Sequence, residues 1–237
     1  MALGKEALEL EEKIGYSFGD VSYLEAALTH SSYTNEMRKR GIKATSNERL
    51  EFLGDAVLEI VISEYLYSNF AKYREGALTK MRQQLVCEKA LARVAEQISL
   101  GEYLNVGSGE ESANVRRRPN VLADALEALF AAVYLDSLAK GSDSYKSVIL
   151  SLLADEISIA AAQKTDYKTM LQQFVEQEGS SSLKYRLVSE DGPEHDKVFT
   201  AEALINNNVV GAGSAQTKKD AEMQAAKKAL LLFGVIE

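Results

Sequence analysis

The sequence predicts a mainly α protein in two parts: an all-helical domain over residues 1–163, then a small α-β-β-β-α domain over residues 164–237. Three observations carry this. Apolar residues recur at helical spacing for most of the way to Ala162. The period then drops to two: Phe199, Ala201, Ala203 and Ile205 alternate with Val198, Thr200, Glu202 and Leu204. Asn206-Asn207-Asn208 then forms a turn before another extended run.

Helices are expected first over Glu6–Ile14 and Val21–Leu28. The polar stretch Ser31–Ser46, with Arg38, Lys39, Arg40 and then Gly41, reads as a loop. A long helix is expected from Glu48 to Phe70, with Thr45-x-x-Glu48 as its capping box. Another is expected from Gly76 to Ala95. Gly101–Asn120, rich in Gly, Ser and charge and holding Pro119, reads as an exposed loop. Helices follow over Asn120–Leu138 and Ser142–Ala162. In the second part a helix is expected over Asp166–Glu178, N-capped by Asp166. Strands are expected over Leu183–Glu190, Lys197–Ile205 and Val209–Ser214, and a closing helix over Thr217–Phe233. About 70 residues suffice for an independent small domain.

Composition narrows the function classes. With 46 % hydrophobic and 26 % charged residues the chain is an ordinary folded protein. Its start carries Glu6, Glu9, Glu11 and Glu12, unlike a basic-then-apolar secretory leader. No apolar run approaches the ~18 residues a membrane span needs, so no membrane partner is expected. The single Cys87 cannot form an intrachain disulfide, and the expected location is the reducing cytoplasm. His30 and His195 lie far apart, which disfavours a histidine-rich metal site. Any metal must be held by carboxylates, which suits a hard ion such as Mg²⁺. No small-molecule cofactor is expected.

The net charge of −8 argues against nucleic acid as a partner. Residues 1–163 hold 18 basic and 24 acidic side chains, residues 164–237 hold 9 and 11. Any affinity for nucleic acid must therefore come from local placement of cations.

Four carboxylates stand where apolar residues belong. Glu48, Glu51 and Asp55, at i, i+3 and i+7, fall within an arc of about 60° on one helix. The same line continues to Leu58 and Ile62, so the acidic stripe runs into a face that should pack. Gly54, mid-helix, costs about 1 kcal/mol relative to alanine and implies close approach of a neighbouring helix or a ligand. From Val121 to Val133 every residue is apolar except Asp124 and Glu127, which share a face. The ordinary readings are a solvated acidic face on the first helix and buried ion pairs to Arg or Lys on the second. A metal site built from Glu51, Asp55, Asp124 and Glu127 resolves the desolvation cost on both helices at once. Mg²⁺ in such a site binds phosphate oxygens and activates water, which suits phosphodiester hydrolysis. Glu75, in Arg74-Glu75-Gly76, is a candidate fifth acid or a surface charge.

Asn47-Glu48-Arg49-Leu50-Glu51-Phe52-Leu53-Gly54-Asp55 resembles the signature of the ribonuclease III family, and Leu122-Ala123-Asp124-Ala125-Leu126-Glu127-Ala128 its second acidic motif. Thr29-His30-Ser31-Ser32 and Glu75-Gly76 through Met81-Arg82 are similar to its pattern too. The resemblance spans the whole chain in the bacterial arrangement, a nuclease domain followed by a double-stranded-RNA-binding domain. It implies an endoribonuclease that cuts double-stranded RNA to 5′-phosphate and 3′-hydroxyl ends in the processing of ribosomal, messenger and transfer RNA precursors. It further implies a homodimer, and Mg²⁺ as cofactor with Mn²⁺ able to substitute. By position, Glu51, Asp124 and Glu127 become metal ligands, Asp55 and Glu127 catalytic groups, and Glu48 and Glu75 accessory acids. Phe52 matches an aromatic that inserts into the partner subunit; as a residue on a helix it could equally belong to the subunit's own core. The alternative function is a non-catalytic double-stranded-RNA-binding protein of the same fold.

In the second domain Lys218 and Lys219 follow Thr217 at a helix start. Cations there oppose the helix dipole by about 0.3–1 kcal/mol each unless a phosphate joins them. They are the expected phosphate contacts, against the plainer reading of solubilising surface lysines. Thr169, Gln172 and Gln173 offer uncharged donors suited to 2′-hydroxyls in the minor groove. Glu176, on the same helix, departs from that pattern. His195 sits in the loop Gly192-Pro193-Glu194-His195, which matches a second minor-groove contact. Glu190, Asp191, Glu194 and Asp196 crowd this loop and predict weak, salt-sensitive binding.

Overall fold

A computed structural model describes residues 5–71, 73–111, 114–162, 167–177, 182–193 and 197–236. The chain divides into two units, Met1–Ala161 and Ala162–Glu237.

The described part of the first unit is helical: α1 (Lys5–Ile14), α2 (Val21–Ala27), α3 (Ser31–Lys39), α4 (Glu48–Asn69), α5 (Glu75–Leu85), α6 (Glu88–Gln97), α7 (Ser108–Glu111), α8 (Pro119–Ala139), α9 (Tyr145–Leu152) and α10 (Ala154–Ala162). Two 3₁₀ turns, Leu100–Tyr103 and Val115–Arg117, punctuate the segment before α8. α8 is the central helix because its sequence is apolar on every side. Ala125, Leu126, Ala128 to Phe130 and Ala131 to Val133 are all 0 % exposed. α2, α4 and α6 pack around it. Pro119 opens α8 at a position where the missing N–H costs nothing.

Five local expectations need correction. Ser31–Ser46 is not a loop throughout, since α3 occupies Ser31–Lys39. His30 caps it, Nδ1 accepting from the Ser32 N–H at 3.2 Å, and Arg38 and Lys39 sit favourably in its last turn. α3 buries no residue, so no apolar stripe announces it. Thr45 does not cap α4. Asn47 holds that position without a side-chain bond, and its own N–H donates to the Thr29 carbonyl at 2.8 Å. The expected 76–95 and 142–162 helices each break once, at Val86–Cys87 and at the fully buried Leu153. The 101–120 segment is anchored rather than loose: Leu104, Val106 and Val115 are buried, and Asn105 pairs with Thr29.

The second unit runs α11 (Tyr167–Gln177), β1 (Leu183–Asp191), β2 (Val198–Ile205), β3 (Asn208–Ala215) and α12 (Lys218–Leu232). The expected Asp166 cap lies outside the described residues. The sheet is antiparallel in the order β1-β2-β3. Asn206 and Asn207 at φ 51° and 66° make the two-residue turn that joins β2 to β3 with the twist a hairpin needs. The helices cover one face. α12 lies so close on β3 that a Cβ at Gly211 would sit 2.3 Å from the Ala225 carbonyl oxygen. Its contact stripe is accordingly alanine: Ala221, Ala225, Ala226 and Ala229 are 0 % exposed.

Candidate metal centre

α4 and α8 cross where the acidic residues lie. A Cβ on Gly54 would stand 1.8 Å from the Glu127 carbonyl oxygen. Only a glycine lets the two backbones meet there, and the contact brings the α4 carboxylates to those of α8. One ligating oxygen each from Glu51, Asp124 and Glu127 lies within 4.8 Å of the others, and all three residues are half-buried. Asp55, one turn along α4 from Glu51, is exposed and outside that tight group, yet close enough to raise Glu127 electrostatically.

The electrostatics are those of crowded carboxylates short of counter-charge. Burial raises Glu51, and Asp124 and Glu48 add to it. Burial likewise raises Asp124. Glu127 is pushed up to about 8, first by burial and then by Asp55, Asp124 and Glu51. Among the described residues no lysine or arginine forms an ion pair with any of the four. The ion-pair reading of Asp124 and Glu127 thus has no partner there. A divalent cation with oxygen preference fits this donor set.

The remaining acidic candidates separate. Glu48 is exposed, accepts from Ser46 Oγ at 2.8 Å, and acts on Glu51. Glu75 stands apart from the cluster. It accepts from Thr79 Oγ1 at 2.9 Å and borders a hollow of about 770 Å³ with Leu66, Tyr67, Phe70 and Tyr73. Phe52 is 81 % exposed and is not a core residue of its own subunit. Two neighbours of Asp124 escaped the sequence reading as site residues: Glu88, at the head of α6, raises it, and His30 lowers it. His30 was visible within Thr29-His30-Ser31-Ser32. Glu88 carried no signal, because only the fold sets α6 against α8.

In the second unit Thr169 and Gln172 are exposed and Gln173 is half-buried on α11. Gln172 Nε2 donates to the Glu176 carboxylate at 2.7 Å, so Glu176 engages one of the expected donors. Lys218 and Lys219 are exposed at the head of α12, whose Thr217 cap accepts from the Asp220 N–H at 3.1 Å. Lys218 Nζ lies 3.7 Å from Glu190 and 5.4 Å from the Phe199 ring centre. Glu190 also accepts from Lys197 at 2.7 Å, and that bond chiefly holds its carboxyl below the usual range. Asp191 is exposed. His195, with Glu194 and Asp196, lies outside the described residues. Among the described residues no helix is long and apolar enough to cross a membrane.

Comparison with known proteins gives concordant matches. The family model described as Ribonuclease-III-like matches residues 20–157. The Double-stranded RNA binding motif matches residues 167–232. Ribonuclease 3 of Natranaerobius thermophilus is 47 % identical over 228 residues, covering 94 % of this chain and 96 % of its own. Ribonuclease 3 of Listeria monocytogenes serotype 4a is 43 % identical over 223 residues, covering 94 % and 95 %. Among solved structures, the nuclease domain of ribonuclease III from Campylobacter jejuni is 38 % identical at a TM-score of 0.56, covering 65 % of this chain and 97 % of that one. A second structure of that domain, described as flexible in a region involved in dimer formation, gives 39 % and 0.55, covering 62 % and 95 %.

Proposed function

Because the chain belongs to the ribonuclease III family, we propose that Glu51, Asp55, Asp124 and Glu127 form the Mg²⁺-dependent centre with which it cuts double-stranded RNA. The activity is that of an endoribonuclease hydrolysing the phosphodiester to 5′-phosphate and 3′-hydroxyl ends. Residues 1–163 serve as the nuclease domain and residues 164–237 as the RNA-binding domain.

The observation that carries the metal assignment is the three-carboxylate cluster of Glu51, Asp124 and Glu127, with which no described lysine or arginine forms an ion pair. Three half-buried carboxylates repel one another and must take up protons or a cation. Bound there, Mg²⁺ supplies phosphate coordination, activation of a water and neutralisation of charge on the leaving 3′-oxygen. Glu51, Asp124 and Glu127 hold their oxygens in a fixed array on two helices locked by Gly54. Asp55, exposed on α4 one turn from Glu51, would accept a hydrogen bond from the attacking water. Mn²⁺, also an oxygen-binding ion, can substitute.

The RNA duplex is held by the second domain through Lys218 and Lys219 and the polar face of α11, with His195 as a further contact. The enzyme works as a homodimer in the cytoplasm. In support of the dimer, Phe52 is an exposed aromatic on α4, and the hollow bordered by Leu66, Tyr67, Phe70 and Tyr73 is of a size to receive such a ring from a second copy.

The test is incubation with a long RNA duplex in Mg²⁺, Mn²⁺ or EDTA. Cleavage is expected with either ion and none in EDTA, the products bearing 5′-phosphates. Binding without cleavage in every tube would instead establish the non-catalytic RNA-binding reading.

A further inference from the structure

Residues 1–163 are net acidic, 18 basic against 24 acidic side chains, so the cations of this part matter by where they stand. Four of them fall within six residues at the end of α3 and just beyond: Arg38, Lys39, Arg40 and Lys43. Arg40 is drawn back onto Glu36 of the same helix. Glu36 in turn accepts from the Ser108 N–H at 2.7 Å. Arg38 and Lys43 are differently placed. Both border a hollow of about 330 Å³ together with Thr34, Asn35 and Ile42, and no carboxylate lines it. Arg38 donates to the Asn35 side-chain oxygen at 2.9 Å, which orients the guanidinium and leaves the Asn35 amide as a donor. No described residue forms an ion pair with Arg38 or Lys43. The Thr34 hydroxyl is already spent on the Ser31 carbonyl at 2.9 Å, which leaves a guanidinium, an ammonium and an amide around one hollow as the donors a phosphate group takes.

The hollow is also at a useful distance. α3 starts at its His30 cap, which lies within electrostatic reach of Asp124. The preceding Thr29 carbonyl holds the Asn47 N–H at the head of α4. Nine residues of helix at about 1.5 Å each carry the chain about 13 Å from that point. A duplex seated on the carboxylates has other backbone phosphates at this range.

We infer that Arg38 and Lys43, with Asn35, bind a backbone phosphate of the RNA duplex away from the scissile bond. The contact belongs to the nuclease domain itself and rests on the nuclease reading of the carboxylate centre. It carries no sequence information; it sets where the duplex lies and adds a salt-sensitive share of its affinity.

The experiment uses the full chain with Arg38→Ala and Lys43→Ala combined. Duplex RNA binding is followed across a salt series in a Glu127→Gln background, and cleavage is followed in the otherwise native chain. The expected results are affinity lower by roughly 3–10-fold, a salt slope shallower by about 1, and KM raised with kcat within about twofold. The charge-preserving pair Arg38→Lys with Lys43→Arg should recover most of the affinity. Lys43→Glu alone, on an exposed side chain, should lose more than Lys43→Ala. Unchanged affinity and slope, or a fall in kcat at constant KM, would overturn the inference, as would equal losses from the charge-preserving pair. A parent chain that binds the duplex but does not cut it sinks the nuclease reading. A parent that cuts, beside a double variant that binds equally well, sinks only this contact.

Discussion

Gly54 of α4 lies against the carbonyl oxygen of Glu127 on α8, so closely that a Cβ at position 54 would stand 1.8 Å from it. The backbone of one acidic motif thus touches a carboxylate residue of the other. Any side chain at 54 must force the helices apart by more than an ångström. Gly54→Ala is expected to cost about 1–3 kcal/mol of stability through overpacking. It should also reduce cleavage by at least about 100-fold, because a shift of 1 Å in a catalytic array has that effect. Thermal melts and single-turnover cleavage measure the two losses. Wild-type rates in the alanine variant would show that the crossing does not set the site.

Glu127→Gln should abolish cleavage while leaving duplex binding nearly intact, as gel-shift and cleavage assays on one preparation would read. The same variant tests the electrostatics. Glu127 is raised to about 8 in the folded chain from an ordinary 4.5. The folded state therefore holds more protons than the unfolded state between those values, and metal-free stability should fall as pH rises from about 4.5 to about 8. The slope should flatten in Glu127→Gln and in wild type saturated with Mg²⁺, where the ion answers the repulsion. Denaturant melts in EDTA across that range provide the check.

Asp136 is a buried carboxylate of a different kind. It is 2 % exposed and accepts from the Tyr16 hydroxyl at 2.7 Å, the Gly19 and Asp20 N–H groups and Lys140, tying the segment after α1 to the end of α8. Burial pushes its carboxyl up, but the bonds from Lys140, Asp20, Gly19 and Tyr16 outweigh that and hold it at about 2. Its contribution to stability is present above the ordinary 3.8 and is lost as pH falls through about 2. Asp136→Ala leaves the Tyr16 hydroxyl and the Gly19 and Asp20 N–H groups without this acceptor and should cost about 3–5 kcal/mol. Cleavage per folded molecule should be unchanged, which active-site titration beside a chemical melt would establish.

Glu190 draws on the lysine expected to meet phosphate, with Lys218 Nζ 3.7 Å away. Glu190→Gln should free Lys218 and remove a charge that repels RNA, tightening duplex binding about 2–5-fold at low salt. Lys218→Ala with Lys219→Ala should weaken it by a similar or larger factor and leave kcat alone. Filter binding across a salt series separates these; tighter binding by Glu190→Gln that persisted in the Lys218→Ala background would point to bulk repulsion rather than to the pair.

Phe52, 81 % exposed, leaves a large apolar ring in water unless a second copy covers it. Phe52→Asp should shift the protein towards monomer in sedimentation velocity, with cleavage falling in parallel. A variant that remained wholly dimeric would remove Phe52 from the interface.

Much was legible along the chain because helices and strands write their burial into residue spacing. The apolar run 121–133 announced the central helix α8, and the alternation through 198–205 announced β2. Asp124 and Glu127 stood out because carboxylates interrupt an apolar helix, and Gly54 because a glycine mid-helix asks for a close neighbour. Elements without a buried stripe stayed hidden. α3 rests on a histidine cap and on bonds to the 107–108 segment, through Ser32 to Gly107 and Glu36 to Ser108, and none of these leaves a period in the sequence. The breaks at Val86–Cys87 and at Leu153 were hidden for the converse reason: their flanks keep helical spacing, and only packing turns the chain there.

The sequence by itself determined the family pattern, and it singled out the change of period near residue 163 and four candidate acids, because each is local: a spacing, a composition, a nine-residue match. Only the tertiary structure decided that Glu51, Asp124 and Glu127 share one point while Glu75 stands apart beside an apolar hollow. It also decided that Glu88 and His30 act on Asp124, and that Arg38 and Lys43 border one hollow. Charges act through space, so their partners are set by which helices cross and how closely. That closeness hangs on contacts such as the one between Gly54 and Glu127, made by residues 73 positions apart.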